Sequence, residues 1–128
     1  VFEDAQMGLS IGMAMNGYVV VSCYPRFDFL ILAMNQLFNH LDKMQFMSKG
    51  QFKPRVIIRT SIGSKKPLNG GVQHTQDYTS VFKSISTELE VVLLNKKSEI
   101  FSAYKKALLR KDSRPTLLVE HGDYYNKK

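Results

Sequence analysis

Three histidines, one cysteine and eleven carboxylates are the groups of this 128-residue chain that could shuttle protons, attack a substrate or hold a metal. His40, His74 and His121 lie far apart and lack the spacing of a metal-ligand set. Cys23 is alone, which excludes an internal disulfide and any multi-cysteine metal site. His74 closes a long stretch, Ser61–Gln76, that also carries Gly63, Lys65, Lys66, Pro67, Gly70 and Gly71. A loop of that length in a small domain is either functional or a solvated connection. Its glycines would suit a phosphate cradle ahead of a helix. Neither G-x-x-x-x-G-K-[ST] nor G-x-G-x-x-G occurs, so no nucleotide fingerprint supports that use. A histidine at the end of such a loop could give or take a proton near neutral pH; on spacing alone, polar surface is the better account of it. Phe27 and Phe29 flank Asp28 in a second short segment, where aromatics serve either a core or a flat-walled pocket. Glu3 stands near a helix start, where the helix dipole alone favours a carboxylate.

The charge balance limits the partners. Eighteen Lys and Arg against eleven Asp and Glu give a formal +7, which attracts phosphates, nucleic acid or acidic proteins. From Lys43 to Gln76 the basic residues Lys43, Lys49, Lys53, Arg55, Arg59, Lys65 and Lys66 occur without one acid. No nucleic-acid motif accompanies them, and Arg55 and Arg59 fall in or beside a strand, so a solvated basic face is the better account than a nucleic-acid footprint. Apolar residues at 44% are enough for a core. The longest apolar runs, near Phe29–Met34 and Val19–Val21, are far too short to span a membrane, and no signal-peptide pattern opens the chain. The first residue is Val1 rather than Met, which reads as a fragment or a processed product. A lone cysteine fits a reducing compartment, and the expected location is cytoplasmic.

Candidate residues need elements to position them. Asp4–Asn16 reads as a helix closed by Gly17, with Ala5, Gly8 and Gly12 on one face where another element should approach. Tyr18–Cys23 reads as a buried strand. After Tyr24-Pro25 a long helix is expected from Phe27 to Met44, with Leu30, Met34, Leu37, Leu41 and Met44 inward and Asn35, Gln36, Asn39, Asp42 and Lys43 at polar positions. Strands follow at Arg55–Thr60, Glu90–Leu94 and Pro115–Glu120, with helices from Thr75 or Gln76 to Ile85 and from Ser98 to Lys111. The alternation predicts one α/β domain over 1–128, a three-layer α/β/α arrangement with a largely parallel sheet covered on both faces. Ligands of such sheets sit beyond the carboxyl ends of the strands. That directs attention to Tyr24–Phe29 and Ser61–Gln76.

Several of these segments, in this order, resemble one family. Phe2–Gly17 is similar to the S-E-x-x-x-x-G-x-x-x-G-x-A-x-x-G segment of thiamine-diphosphate enzymes. The likeness is to the pyrimidine-binding domain of transketolases and of 2-oxo acid dehydrogenase beta subunits. It continues through Tyr24–Phe29, Asn35-Gln36, Asn39, Met47–Gln51 (the family's Y-M-S-G-G), Val56–Arg59, Gln73–Gln76 (the family's Q-H-S-Q) and Leu117–Glu120. The resemblance implies that Glu3 hydrogen-bonds a ring nitrogen of the cofactor's aminopyrimidine and so promotes its imino tautomer. It implies that Phe29 packs on that ring, that Tyr24 and Pro25 wall the pocket, and that His74 stands at the substrate end as a proton donor or alkoxide stabiliser.

The departures from the family bear on partners. The G-D-G motif that holds the diphosphate is absent, and Gly122-Asp123 is followed by Tyr. The family's strand, helix and strand before the glutamate are also absent. The resemblance therefore implies a pyrimidine domain with its N-terminal part missing. Such a chain would share thiamine diphosphate with a separate alpha-like chain or domain, which would hold Mg2+ or Ca2+, in a homo- or hetero-oligomer. Alone it should not be a competent enzyme. Met47–Gly50 and Gln73–Gln76 favour 2-oxo acid chemistry over ketol transfer. The alternative is a non-catalytic interaction protein that keeps the fold.

Overall fold

Residues 2–125 are described by the structure, a computed structural model. The first helix, α1 (Glu3–Met15), carries Glu3 and Asp4 in its first turn, where the exposed N–H groups favour acids. It stops where Gly17 takes φ +90°, a conformation that suits glycine. Met7, Ser10, Ile11 and Ala14, at helical spacing, form its buried face. Four strands follow: β1 (Val20–Cys23), β2 (Val56–Ile62), β3 (Glu90–Leu93) and β4 (Thr116–His121). They form one parallel sheet in the order β1-β2-β4-β3, with Cys23 opposite Arg59 and Ile62 opposite His121. Runs of Val, Ile and Leu make the central strands β2 and β4, as expected for parallel strands buried on both faces.

The layers are those of an α/β/α domain. On one face, Val56, Ile58, Leu117 and Val119 meet α1, the helical stretch 27–47 and α4 (Thr79–Ile85). Phe27 and Phe38 pack edge-on against Phe82, with ring centroids 4.8 and 5.0 Å apart. Each such fully buried side chain contributes about 1.5–3 kcal/mol. On the other face, Ile57, Leu94, Leu118 and Ala107 of α5 (Glu99–Leu109) form a smaller core.

Four expectations need correction. The helix expected over Phe27–Met44 is helical to Met47 but not uniform: α2 (Phe27–Leu30) passes through a 3-10 turn, a π segment at Asn35–His40 and a second 3-10 turn into α3 (Met44–Met47). Lys43 Nζ donates to the Phe38 carbonyl, 3.0 Å away, within this irregular stretch. Asp42, expected at a polar position, is fully buried. Its carboxylate accepts from Thr87 N and Oγ1, Glu88 N and Leu89 N at 2.6–3.1 Å, tying this stretch to the entrance of β3. The small-residue face of α1 is not a close-approach seam: Gly8 faces the Gln36 side chain, but Gly12 meets nothing within 4 Å and Ala5 is exposed. Finally, β1 is an edge strand whose Val20 and Ser22 are buried while Val21 and Cys23 are exposed.

A second buried carboxylate, Glu120 at the end of β4, is 4% exposed. Arg59 grips it through Nε and Nη2, and the Tyr104 and Tyr125 hydroxyls donate to it at 2.6 and 2.5 Å. Burial works to raise its pKa, but the donors from Arg59 and the two tyrosines outweigh burial and hold it below the usual carboxylate range. Burial and the Glu120 contact push Tyr125 up to about 12, so it remains a donor.

Two stability outcomes test these anchors. Asp42→Ala would orphan four donors and should cost about 3 kcal/mol or more in urea unfolding; a loss below about 1 kcal/mol would mean that water replaces the carboxylate. Because the pKa of Glu120 is depressed by folding, its contribution is present above the unfolded value of 4.5 and is lost as pH falls through the lower folded value. The melting temperature of wild type should therefore converge on that of Glu120→Gln between about pH 6 and about pH 3. A constant gap would refute the linkage.

Candidate active site at the ends of β1 and β2

Parallel pairing delivers both candidate loops to one sheet edge. The ladder extends one residue past β1, where Tyr24 N donates to the Arg59 carbonyl at 2.8 Å. Pro25 is then fixed from β2, whose Ser61 Oγ donates to the Pro25 carbonyl at 2.8 Å. Tyr24 is 1% exposed, and its hydroxyl donates to the Glu3 carbonyl oxygen at 3.2 Å. Burial first, and then the charges of Glu3 and Asp4, push the Tyr24 hydroxyl up to about 12, so it stays protonated and keeps that bond. The start of α1 is thereby fastened above the end of β1. The Glu3 carboxyl itself is half-buried and makes no hydrogen bond or ion pair among the described residues.

The glycine-rich loop is folded back onto the same place. Arg26 Nη1 donates to the Gly63 carbonyl at 2.6 Å and to the His74 carbonyl at 2.9 Å, clasping both ends of the loop. Gly70 has no room for a side chain: a Cβ there would stand 2.9 Å from His74 Cβ and 3.4 Å from Arg26 Nη1. Gly71, at φ +76°, closes a turn through its carbonyl, which accepts from His74 N and Thr75 Oγ1. His74 therefore lies beside Phe29, with ring centroids 5.4 Å apart. Its Nδ1 is buried without a partner among the described residues.

The sequence-derived candidates thus form two joined pairs, Glu3 with Tyr24 and Phe29 with His74, at the two ends of the segment that holds Pro25. His40 is exposed in the π segment, and the His121 ring rests on Tyr124, 5.3 Å away; neither belongs here. Sequence reasoning missed Arg26 and Ser61, which connect the loops. A lone cation between Pro25 and Phe27 was the available signal. Of the basic run, Arg55 donates to the Leu108 carbonyl and Arg59 is paired with Glu120, so part of that charge serves the fold. Among the described residues, no cluster of three or more His, Cys, Asp or Glu could hold a metal ion, and no helix is long and apolar enough to cross a membrane.

Comparison with known proteins identifies the family. The family described as transketolase, pyrimidine binding domain, matches residues 1–127. The chain belongs to that family. The fold of the family is associated with thiamine diphosphate. Similar proteins include the pyruvate dehydrogenase E1 component subunit beta of Cyanidium caldarium, 33% identical over 98% of this chain and 37% of the relative. The chloroplastic subunit beta-3 of Arabidopsis thaliana is 33% identical over 98% of this chain and 30% of its own length. The chloroplastic beta-4 subunit of Oryza sativa subsp. japonica is 32% identical over the same shares. The chain spans about a third of the length of the relatives it matches.

The loop geometry is open to direct measurement. Gly70→Ala should push His74 away from Phe29 and remove the ring-current shift on the His74 imidazole C–H resonances, at a cost of about 1–3 kcal/mol in stability. Unchanged His74 resonances would show that Gly70 does not set the position of His74.

Proposed function

We propose that this chain is the pyrimidine-domain, beta-like component of a thiamine-diphosphate-dependent enzyme that acts on 2-oxo acids, with ketoses as the alternative substrate class. The observation that carries the reading is the Glu3 carboxyl: its residue is anchored through the backbone carbonyl by buried Tyr24, and the carboxyl has no partner among the described residues. The residues fit the cofactor's aminopyrimidine half. The Glu3 carboxyl could share a proton with a ring nitrogen, half-buried Phe29 offers a flat apolar face, and the Nδ1 of His74, buried without a partner among the described residues, is available to a ligand. When bound, the cofactor would supply a carbanion that attacks the substrate carbonyl.

The protein's own part is proton management and exclusion of water. Glu3 would hold the shared proton on a carboxyl oxygen, at a helix start that Tyr24 keeps from drifting. Tyr24 and Pro25 would wall the ring. His74, carried on the clasped loop, would donate to the oxygen of the substrate carbonyl as it becomes an alkoxide. An alpha-like chain or domain with the diphosphate-binding motif would complete the site and hold Mg2+ or Ca2+, in a homo- or hetero-oligomer. The relatives named chloroplastic place that location beside the cytoplasm as a candidate compartment, and lone Cys23 suits either.

A second reading, a non-catalytic partner that keeps the fold, draws on the apolar surface at α1 and β1, where Leu9, Met13, Tyr18 and Val21 are all exposed. One variant separates the two. In a complex with a diphosphate-binding alpha-like chain, Glu3→Gln should lower turnover of pyruvate by about 100-fold or more while the complex stays assembled. Full activity of Glu3→Gln would exclude the role assigned to Glu3, and no turnover by the wild-type complex would favour the non-catalytic partner.

A further inference from the structure

Among the described residues, Arg26 is a cation without a counter-ion. It is half-buried, and the ion pairs formed by Arg59, Lys106, Arg110 and Arg114 do not include it. Asp28, two residues on, is 9% exposed, and neither of its carboxylate oxygens has a partner among the described residues, so it does not neutralise Arg26. Holding two backbone carbonyls requires N–H donors but no permanent charge, so the clasp alone does not explain an arginine here.

The guanidinium has more donors than the clasp uses. It presents five N–H groups in a rigid plane. The two on Nη1 account for the bonds to Gly63 and His74. Those on Nε and Nη2 have no partner among the described residues. The edge formed by Nε and Nη2 matches the two oxygens of a carboxylate and binds it with two parallel hydrogen bonds. Two carbonyl bonds fix the plane, so little freedom remains to be lost when an anion arrives.

The location of Arg26 suits a substrate anion. Arg26 is bonded to the backbone of His74, whose ring lies against Phe29. In a 2-oxo acid the reacting carbonyl is directly attached to the carboxylate, so the groups that meet the two must be neighbours. We propose that the free Nε/Nη2 edge of Arg26 anchors the carboxylate of the substrate and so selects 2-oxo acids over ketoses and aldehydes. This rests on the thiamine-diphosphate reading of the site.

The test compares two substrates that differ by the carboxylate. Pyruvate loses CO2 where acetaldehyde loses its aldehyde proton; in both cases water supplies the added oxygen of acetate and two ferricyanide ions take up the two electrons. In the complex with the alpha-like chain, Arg26→Gln should lower the ratio of kcat/KM for pyruvate to that for acetaldehyde by about 10- to 100-fold, chiefly through KM for pyruvate. Arg26→Lys, which keeps the charge but not the fork, should fall between. If Arg26 only clasps the loop, both substrates suffer together and the ratio stays constant, which overturns the proposal even if the loop is disturbed. Binding tests the anchor independently of turnover. In the Glu3→Gln background, calorimetric affinity for pyruvate should drop about 10-fold or more on adding Arg26→Gln, and equal affinities would overturn the anchor. Should the wild-type complex turn over neither compound, the thiamine-diphosphate reading fails, while the pyruvate titration still decides the role of Arg26.

Discussion

Everything in the candidate site depends on the parallel pairing of β1 with β2. Parallel strands in register leave the sheet along the same edge, so Tyr24–Phe29 and the loop after Ile62 must emerge side by side. Such crowding is useful only if the two loops are held in one arrangement. Ser61 to Pro25 and Arg26 to Gly63 and His74 do that with hydrogen bonds that cross from one loop to the other. The glycines are the counterpart of this constraint: at Gly70 any side chain would collide with His74, so the loop can close only because nothing is there. Position is thus obtained from backbone carbonyls, which leaves the His74 ring and the Glu3 carboxyl free of structural duties.

The same structure commits charged groups where burial makes them costly, and each is answered by geometry. Asp42 would be expensive as a buried anion, but four donors from Thr87–Leu89 surround it. Glu120 is gripped by one guanidinium and two phenols on the opposite face. The two carboxylates tie elements that hydrophobic packing alone leaves free to slide: the irregular helical stretch to β3, and α5 to β4. Among the described residues, Asp28 lacks such an answer, and Arg26, though bonded to two backbone carbonyls, has no carboxylate partner. Such groups are unusual in a protein that satisfies Asp42 and Glu120 so fully, and both lie in the segment beside the proposed pocket.

How much of this was legible in the sequence follows from the range of each interaction. Val56–Ile58 and Leu117–Val119 declared β2 and β4 by composition, and the alternation with helices declared the parallel sheet. The two loops were legible as well, because in such sheets strand ends are where ligands sit. The fate of Asp42 was hidden, since its donors lie more than forty residues away and nothing nearby marks it as buried. The broken helix was hidden for a similar reason: its residues suit an α-helix, and tertiary contacts select the 3-10 and π turns. Glu3, Phe29 and His74 were singled out by resemblance, whereas their spacing alone left surface and core explanations open. Arg26 carries no local sign of a bond to His74, which lies in the other loop.

The surroundings of α1 connect assembly to chemistry. Its inner face is apolar through Met7, Ile11 and Ala14, but its outer face is apolar too, with Leu9 71% and Met13 49% exposed and Phe2 just before it 86% exposed. A helix that is apolar all round is at home when covered on every side. Glu3 sits in the first turn of this helix, so in the assembly proposed here any chain that covers Phe2 and Leu9 also removes water from around the Glu3 carboxyl. A hydrogen bond to that carboxyl is stronger in a drier setting, and so is its effect on a bound ring. Apolar docking and proton sharing would then be one event, and the part of α1 that looks least suited to an isolated chain would be the part that makes the site work.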